Sequence, residues 1–61
     1  MKLYVVEGIL DDVVQLGCAS SKKVALAMAD AINKNGGIGY HNQKVWVEEY
    51  TSNADGWIEF E

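Results

Sequence analysis

One alanine-rich stretch, residues 20–37, constrains the fold of this 61-residue chain more than any other feature. Its sequence is SSKKVALAMADAINKNGG, and alanine, leucine and methionine are good helix formers. Ser20 or Ser21 can act as the N-cap, because a serine hydroxyl accepts a hydrogen bond from an unpaired N–H of the first turn. Gly36 and Gly37 can adopt the left-handed conformation that ends many helices. The sequence therefore predicts a single helix.

Four other segments have the composition of β-strands. They are residues 2–10, 13–19, 44–51 and 57–61. Asp11-Asp12 and Asp55-Gly56 are turn signals between neighbouring strands, and the Gly/Asn-rich segment 36–43 is a loop. The order ββαββ predicts one α+β domain over residues 1–61, with the helix on one face of a four-stranded antiparallel sheet. Connectivity favours the strand order 2-1-3-4.

The two-residue period of a strand assigns its side chains to two faces. The face predicted to pack on the helix consists of Leu3, Val5, Ile9, Val14, Leu16, Cys18, Val45, Val47, Ile58 and Phe60. The helix is expected to present Val24, Met28, Ala31 and Ile32 to it, with Lys22, Lys23, Asp30 and Asn33 on its outer side. The opposite, outer sheet face is predicted to hold Tyr4, Val6, Leu10, Trp46, Glu48, Tyr50, Trp57 and Glu59. A bulge at Glu7-Gly8 is expected to bring Glu7 to an edge of the sheet.

The outer sheet face is more apolar than an ordinary solvated face, and contiguous apolar patches usually mark interfaces. Leu26 is also predicted to be exposed, on the outer side of the helix. The expected protein interface therefore comprises Tyr4, Val6, Leu26, Trp46, Glu48, Tyr50, Trp57 and Glu59. A chain this short has marginal stability alone, so a two-fold homodimer through the aromatic face is predicted. Two alternatives stay open: the face binds a different protein, or its long side chains only shield a small sheet.

Catalytic and metal-binding residues are sparse in this sequence. Cys18 and His41 are each the only residue of their type, so neither a disulfide nor a Cys/His metal site is expected. Glu48 and Glu49 are adjacent on a strand and point to opposite faces, which excludes a catalytic carboxylate pair. We expect no enzyme activity, no metal and no cofactor. The chain shows no signal-peptide pattern and no transmembrane stretch, so we expect it in the cytosol.

The charge distribution restricts the class of partner. The formal net charge is −4 and there is no arginine, which disfavours direct binding to nucleic acid. No cation follows Lys44, and the acidic residues after it are Glu48, Glu49, Asp55, Glu59 and Glu61. An acidic surface of this kind favours a protein partner with a basic surface.

The pattern YVV…G.ASS…A..A runs through Tyr4, Val5, Val6, Gly17, Ala19, Ser20, Ser21 and Ala25. With the small size, the acidic charge and the ββαββ order, it resembles small phage-encoded proteins. Some of those inhibit host RNA polymerase, and others are anti-CRISPR or related anti-defence proteins. The resemblance implies a non-enzymatic inhibitor that binds a host defence or transcription protein in the host cytosol. Two alternatives are an acidic nucleic-acid mimic that blocks a nucleic-acid-binding enzyme, and a small accessory subunit.

Overall fold

The computed structural model describes residues 2–51 of the chain. Its elements are β1 (Lys2–Ile9), β2 (Val13–Ala19), α1 (Lys22–Lys34) and β3 (Trp46–Thr51). The three strands form an antiparallel sheet in the order β2-β1-β3. Over residues 2–51, the predicted α+β class, the single helix and the order of the first three strands are confirmed. The fourth strand predicted at 57–61 lies outside the described residues.

Both ends of α1 follow the predicted chemistry. Ser21 is the N-cap, and its hydroxyl accepts a hydrogen bond from a first-turn N–H at 3.4 Å. At the other end, Gly36 has φ +100° and donates to the carbonyl of Asn33 at 3.2 Å. Gly37 donates to the carbonyl of Ile32 at 2.9 Å. These two bonds form a Schellman motif, which satisfies carbonyls that the helix itself leaves unpaired.

The core between helix and sheet is built from small and β-branched side chains. Its buried residues are Val6, Ala25, Ala29 and Val45. Partly buried side chains that pack around them are Tyr4, Ala19, Met28, Ile32, Ile38 and Val47. Val6 lies in the central strand with Gly17 and Val47 as its cross-strand neighbours, so these three positions share the side of the sheet that faces the helix. A Cβ atom at Gly17 would lie 2.6 Å from the Met28 Cε, so the glycine makes room for the helix.

The face assignment made from the sequence was wrong for β1. Val6 is 0% exposed within the core below the helix, and Tyr4 packs against the same cluster. Leu3 and Val5 therefore point to the opposite side, which we call the open face. The face prediction failed because β1 has apolar residues at successive positions, which point to both sides of the sheet. A two-residue period therefore does not distinguish the buried face from the open one.

The same error extends into β2. Leu16 and Cys18, which were expected under the helix, line a shallow depression on the open face together with Leu3 and Val5. Cys18 is exposed there, as the cross-strand partner of Val5.

A β-bulge interrupts the pairing of β1 with β2, close to the position that the sequence suggested. Val6 pairs with Gly17 and Glu7 pairs with Gln15, so Leu16 is the extra residue. The bulge thus belongs to β2 and not to β1. Because β1 is the central strand, Glu7 does not reach an edge and is only 5% exposed.

The helix stripe that faces the sheet agrees only in part with the predicted one: Met28 and Ile32 pack on the core as expected, but its centre is shifted. Ala25 and Ala29 are buried at its centre, whereas Val24 and Ala31 are exposed. Alanine at these two positions, one turn apart, lets the helix backbone approach Val6 closely. The larger side chains of Met28 and Ile32 pack at the margins of this contact.

Asn33 was expected on the outer side of the helix, but it fastens the helix to the chain that leads into β3. Its side-chain oxygen accepts from the Val45 N–H at 2.8 Å, and its amide nitrogen donates to the Val45 carbonyl at 3.1 Å. The pair of bonds satisfies both backbone groups of a buried residue, which is why a polar side chain is stable here.

Candidate interaction surfaces

Three of the predicted interface residues lie together on the open face. Val47 packs on the core, so its neighbours Trp46 and Glu48 point away from the helix, and Tyr50 shares their side. Trp46 and Tyr50 are half-buried and Glu48 is exposed. Among residues 2–51, the aromatic side chains of the open face are therefore less exposed than the sequence suggested.

The other predicted interface residues do not join them. Tyr4 and Val6 lie on the helix side of the sheet, as described above, and are not available on the open face. Leu26 is 49% exposed on the helix, which confirms its predicted exposure. Trp57 and Glu59 lie outside the described residues. The predicted interface is thus divided among three different parts of the molecule.

A polar bridge crosses the three strands on the open face. The buried Glu7 carboxylate accepts from the Tyr50 hydroxyl at 2.5 Å and from the Gln15 side chain at 3.4 Å. The hydrogen bond to Glu7 raises the pKa of the Tyr50 phenol, with desolvation and the negative charges of Glu7 and Glu48 acting in the same direction. The sequence signal for this bridge was a glutamate at a strand position whose neighbours on the same face are apolar.

A cluster of exposed apolar residues lies at one end of the sheet, where the β1–β2 turn meets the loop after α1. We define the apolar end as Ile9, Leu10, Gly39, Tyr40 and His41. With Asp11 and Gln43, these residues line an open concavity of about 360 Å³. Leu10 is 52% exposed and Tyr40 is fully exposed at the tip of its loop. Sequence reasoning assigned the 36–43 segment only as a loop and placed Leu10 on the sheet face, so it missed this surface.

Backbone hydrogen bonds hold the loop of the apolar end. The N–H and carbonyl groups of Ile38 and Gln43 bond to each other in both directions at 2.9 Å. Gly39 has φ +73°, and a Cβ atom there would lie 2.8 Å from the Leu10 Cδ2. The glycine thus allows both the turn and the close approach of the two loops. Tyr40 is carried on a hairpin of defined geometry.

The turn on the other side of the concavity is also held by hydrogen bonds. The Leu10 N–H donates to the Asp12 carbonyl at 3.1 Å. The Asp12 carboxylate accepts from the Val13 N–H at 2.8 Å, as short acidic side chains often do in turns. The side chain of Leu10 is therefore presented outward from an ordered turn.

Two of the surface lysines form ion pairs with carboxylates. Lys2 pairs with Glu49 at 3.1 Å, and Lys34 pairs with Asp30 at 2.9 Å one helical turn away. A hydrogen bond to the carboxylate raises the pKa of each lysine, with charge attraction as the second cause. In residues 2–51, the exposed acidic side chains outside these pairs are Asp11, Asp12 and Glu48. The lysines outside these pairs in the same range are Lys22, Lys23 and Lys44.

The cysteine and the histidine lie on different surfaces. Cys18 lies on the open face, whereas His41 lines the concavity at the apolar end. Within residues 2–51, no three His, Cys, Asp or Glu side chains form a group that could hold a metal ion. No helix in the same range is long and apolar enough to cross a membrane.

Comparison with protein-family models, with curated proteins and with solved structures finds no match to this chain.

Proposed function

We propose that this protein is a non-enzymatic interaction module that binds a host protein through the apolar end. The observation that carries the proposal is the exposure of Leu10 and Tyr40 on two loops of defined geometry, beside the half-exposed Ile9. The resemblance to small acidic phage-encoded proteins supports an inhibitor of a host defence or transcription protein.

Exposed apolar side chains at one place favour binding because a partner removes them from water. Tyrosine is enriched among the residues that dominate binding energy, since it buries a large area with few rotatable bonds. Leu10 and Tyr40 both line the concavity, so a partner side chain that enters it can contact apolar atoms from two loops. Isolated exposed apolar residues need no such explanation, but a cluster of them around a concavity does.

The negative charge beside the apolar end indicates which charge a partner should carry around its contact residue. Asp11 lines the concavity and Asp12 follows it in the turn, and neither forms an ion pair within residues 2–51. A partner with an apolar side chain flanked by lysine or arginine would satisfy both features. A basic protein partner was also expected from the sequence, but on different residues, the acidic ones after Lys44.

The nucleic-acid-mimic alternative is less well supported. A mimic needs a row of exposed negative charges, but among residues 2–51 Glu7 is buried, and Asp30 and Glu49 are each paired with a lysine. An accessory subunit would bind through the same kind of surface. It is distinguished from an inhibitor by the activity of the partner, which an inhibitor lowers and an accessory subunit preserves.

The proposal is tested by selecting random displayed peptides against the immobilised protein. We expect enriched peptides to combine an apolar residue with lysine or arginine. Their affinity for Leu10→Ala and for Tyr40→Ala should fall at least about 10-fold, or about 1.4 kcal/mol. Leu26→Ala, which removes an equally exposed leucine from the helix, is the matched control and should leave the affinity unchanged. Peptides that bind the Leu10 and Tyr40 variants as tightly as the parent protein would contradict the proposal.

A further inference from the structure

The outer side of β2 is a strand edge with unusual properties. Within residues 2–51, β1 pairs with one side of β2 and no strand pairs with the other. The strand reads VVQLGCA, with no charged residue and no proline. Charges and proline are common devices that keep exposed edges from pairing with another chain. Val13 and Leu16 add apolar surface along this edge, because both are more than two-fifths exposed.

Opposite charges flank this uncharged strand. Asp11 and Asp12 precede it, and Lys22 and Lys23 follow its end across a two-residue connection. The two lysines form the first turn of α1, which contains no acidic residue. Cations at a helix N-terminus are unfavourable because the helix dipole is positive there. The start of α1 would therefore gain from a neighbouring carboxylate.

We propose that β2 pairs antiparallel with β2 of a second copy of the chain, about a two-fold axis at Leu16. Antiparallel pairing places the beginning of one strand beside the end of the other. The aspartates of each copy then lie next to the lysines at the helix start of the other copy. The contact is repeated on both sides of the axis, as two-fold symmetry requires.

The β-bulge is compatible with this axis. Leu16 is the midpoint of β2, with three residues on either side, and it is the residue that the bulge removes from the regular ladder with β1. With a two-fold axis at this residue, the regular half 13–15 of one copy lies opposite the regular half 17–19 of the other. Position 13 then lies opposite 19, position 14 opposite 18, and position 15 opposite 17.

The arrangement of charge selects a second copy over an unrelated strand. Both ends of β2 need a complementary charge, acidic at one end and basic at the other, and an antiparallel copy supplies both at once. This dimer differs from the one predicted from the sequence, which used the aromatic face. The open face carries Glu48, and face-to-face packing would bring two such carboxylates near each other.

The proposal is tested by sedimentation equilibrium in the presence of a thiol reductant. Protein concentrations should run from about 10 μM to about 1 mM. The parent chain should dimerise reversibly. Asp11→Lys should weaken dimerisation about 10-fold, because each dimer contains the altered contact twice. Lys22→Glu should weaken it similarly, and the double variant should return to within about 3-fold of the parent. Glu48→Lys, which changes the charge equally but lies on the far strand β3, is the control and should leave dimerisation unchanged.

A parent chain that stays monomeric up to about 1 mM would overturn the proposal. So would a dimer that Asp11→Lys leaves intact, or one that Glu48→Lys disrupts as strongly, since either result places the contact elsewhere. Failure of the double variant to restore dimerisation would contradict the antiparallel arrangement itself. None of these outcomes depends on whether the apolar end binds a host protein.

Discussion

Val6→Ala distinguishes the observed packing from the arrangement that the sequence favoured. On an outer sheet face, Val6 would contribute to binding and little to stability. Below the helix it is 0% exposed, and it contacts the core that Ala25 and Ala29 form. We therefore expect the substitution to destabilise the fold.

The magnitude follows from the two carbon atoms that are removed. Each buried methyl group is worth about 0.8 kcal/mol of transfer free energy, and the cavity left behind adds to this. The free energy of unfolding should fall by about 2–3 kcal/mol. For a domain of this length the total is about 3–9 kcal/mol, so the loss is a large fraction of it.

Urea denaturation, followed by far-UV circular dichroism, measures this loss. Val24→Ala is the matched control, because it removes the same atoms from a side chain that is 51% exposed on the helix. Its free energy of unfolding should change by less than about 0.5 kcal/mol, since alanine is also the better helix former. Equal effects of the two substitutions would refute the placement of Val6 below the helix.

Two further predictions concern the loop after α1 and the polar bridge. Gly37→Ala should destabilise the fold by about 2–5 kcal/mol, because a Cβ there combines a φ of +74° with a position 2.3 Å from the Gln43 carbonyl oxygen. At Gly36 a Cβ atom would make only an ordinary contact, 3.9 Å from the Asn42 Oδ1, so Gly36→Ala should cost only its backbone strain, about 1–3 kcal/mol by the same denaturation assay. The phenol of Tyr50 should titrate above its ordinary pKa in ultraviolet absorbance. Because the folded state favours the neutral phenol, this contribution to stability should be present below about pH 10 and lost as the pH rises through the raised pKa. Glu7→Gln should bring that titration back towards the ordinary value, and an unchanged titration would exclude Glu7 as its main cause.

The sequence was sufficient for the elements whose signals are local. Ser21 caps the start of α1 with its hydroxyl, and Gly36 and Gly37 close its end with backbone hydrogen bonds; all of these involve only nearby residues. The short Asp11–Asp12 turn fixed the antiparallel pairing of β1 with β2. These features depend on chain chemistry within a few residues, which a single sequence displays directly.

The faces of the elements could not be derived in the same way. Val5 and Val6 are adjacent and equally apolar, so the alternation of β1 is ambiguous. The positions of the small residues indicate which faces pack together. Gly17 and Ala25 mark where helix and sheet approach each other, but their small size is informative only once the two elements are placed together.

The candidate site was predicted only in part. Trp46, Glu48 and Tyr50 share the open face as expected, because alternate residues of a strand lie on the same side. The apolar end depends on two loops that meet across the fold, and the contact between Leu10 and Gly39 cannot be read from hydrophobic periodicity. Tyr40, in a Gly/Asn-rich loop, was the available signal, since a large aromatic there has little chain around it to bury it.

The location of binding is the central claim, and amide chemical-shift changes in ¹⁵N-labelled protein test it most directly. A peptide from the display selection is titrated into the labelled protein, and the shift of each assigned amide is followed. The proposal predicts that the largest changes fall on residues 9–13 and 38–43, which surround the apolar end. Changes concentrated on Trp46–Thr51, with residues 38–43 unaffected, would contradict it and place binding on the aromatic strand of the open face.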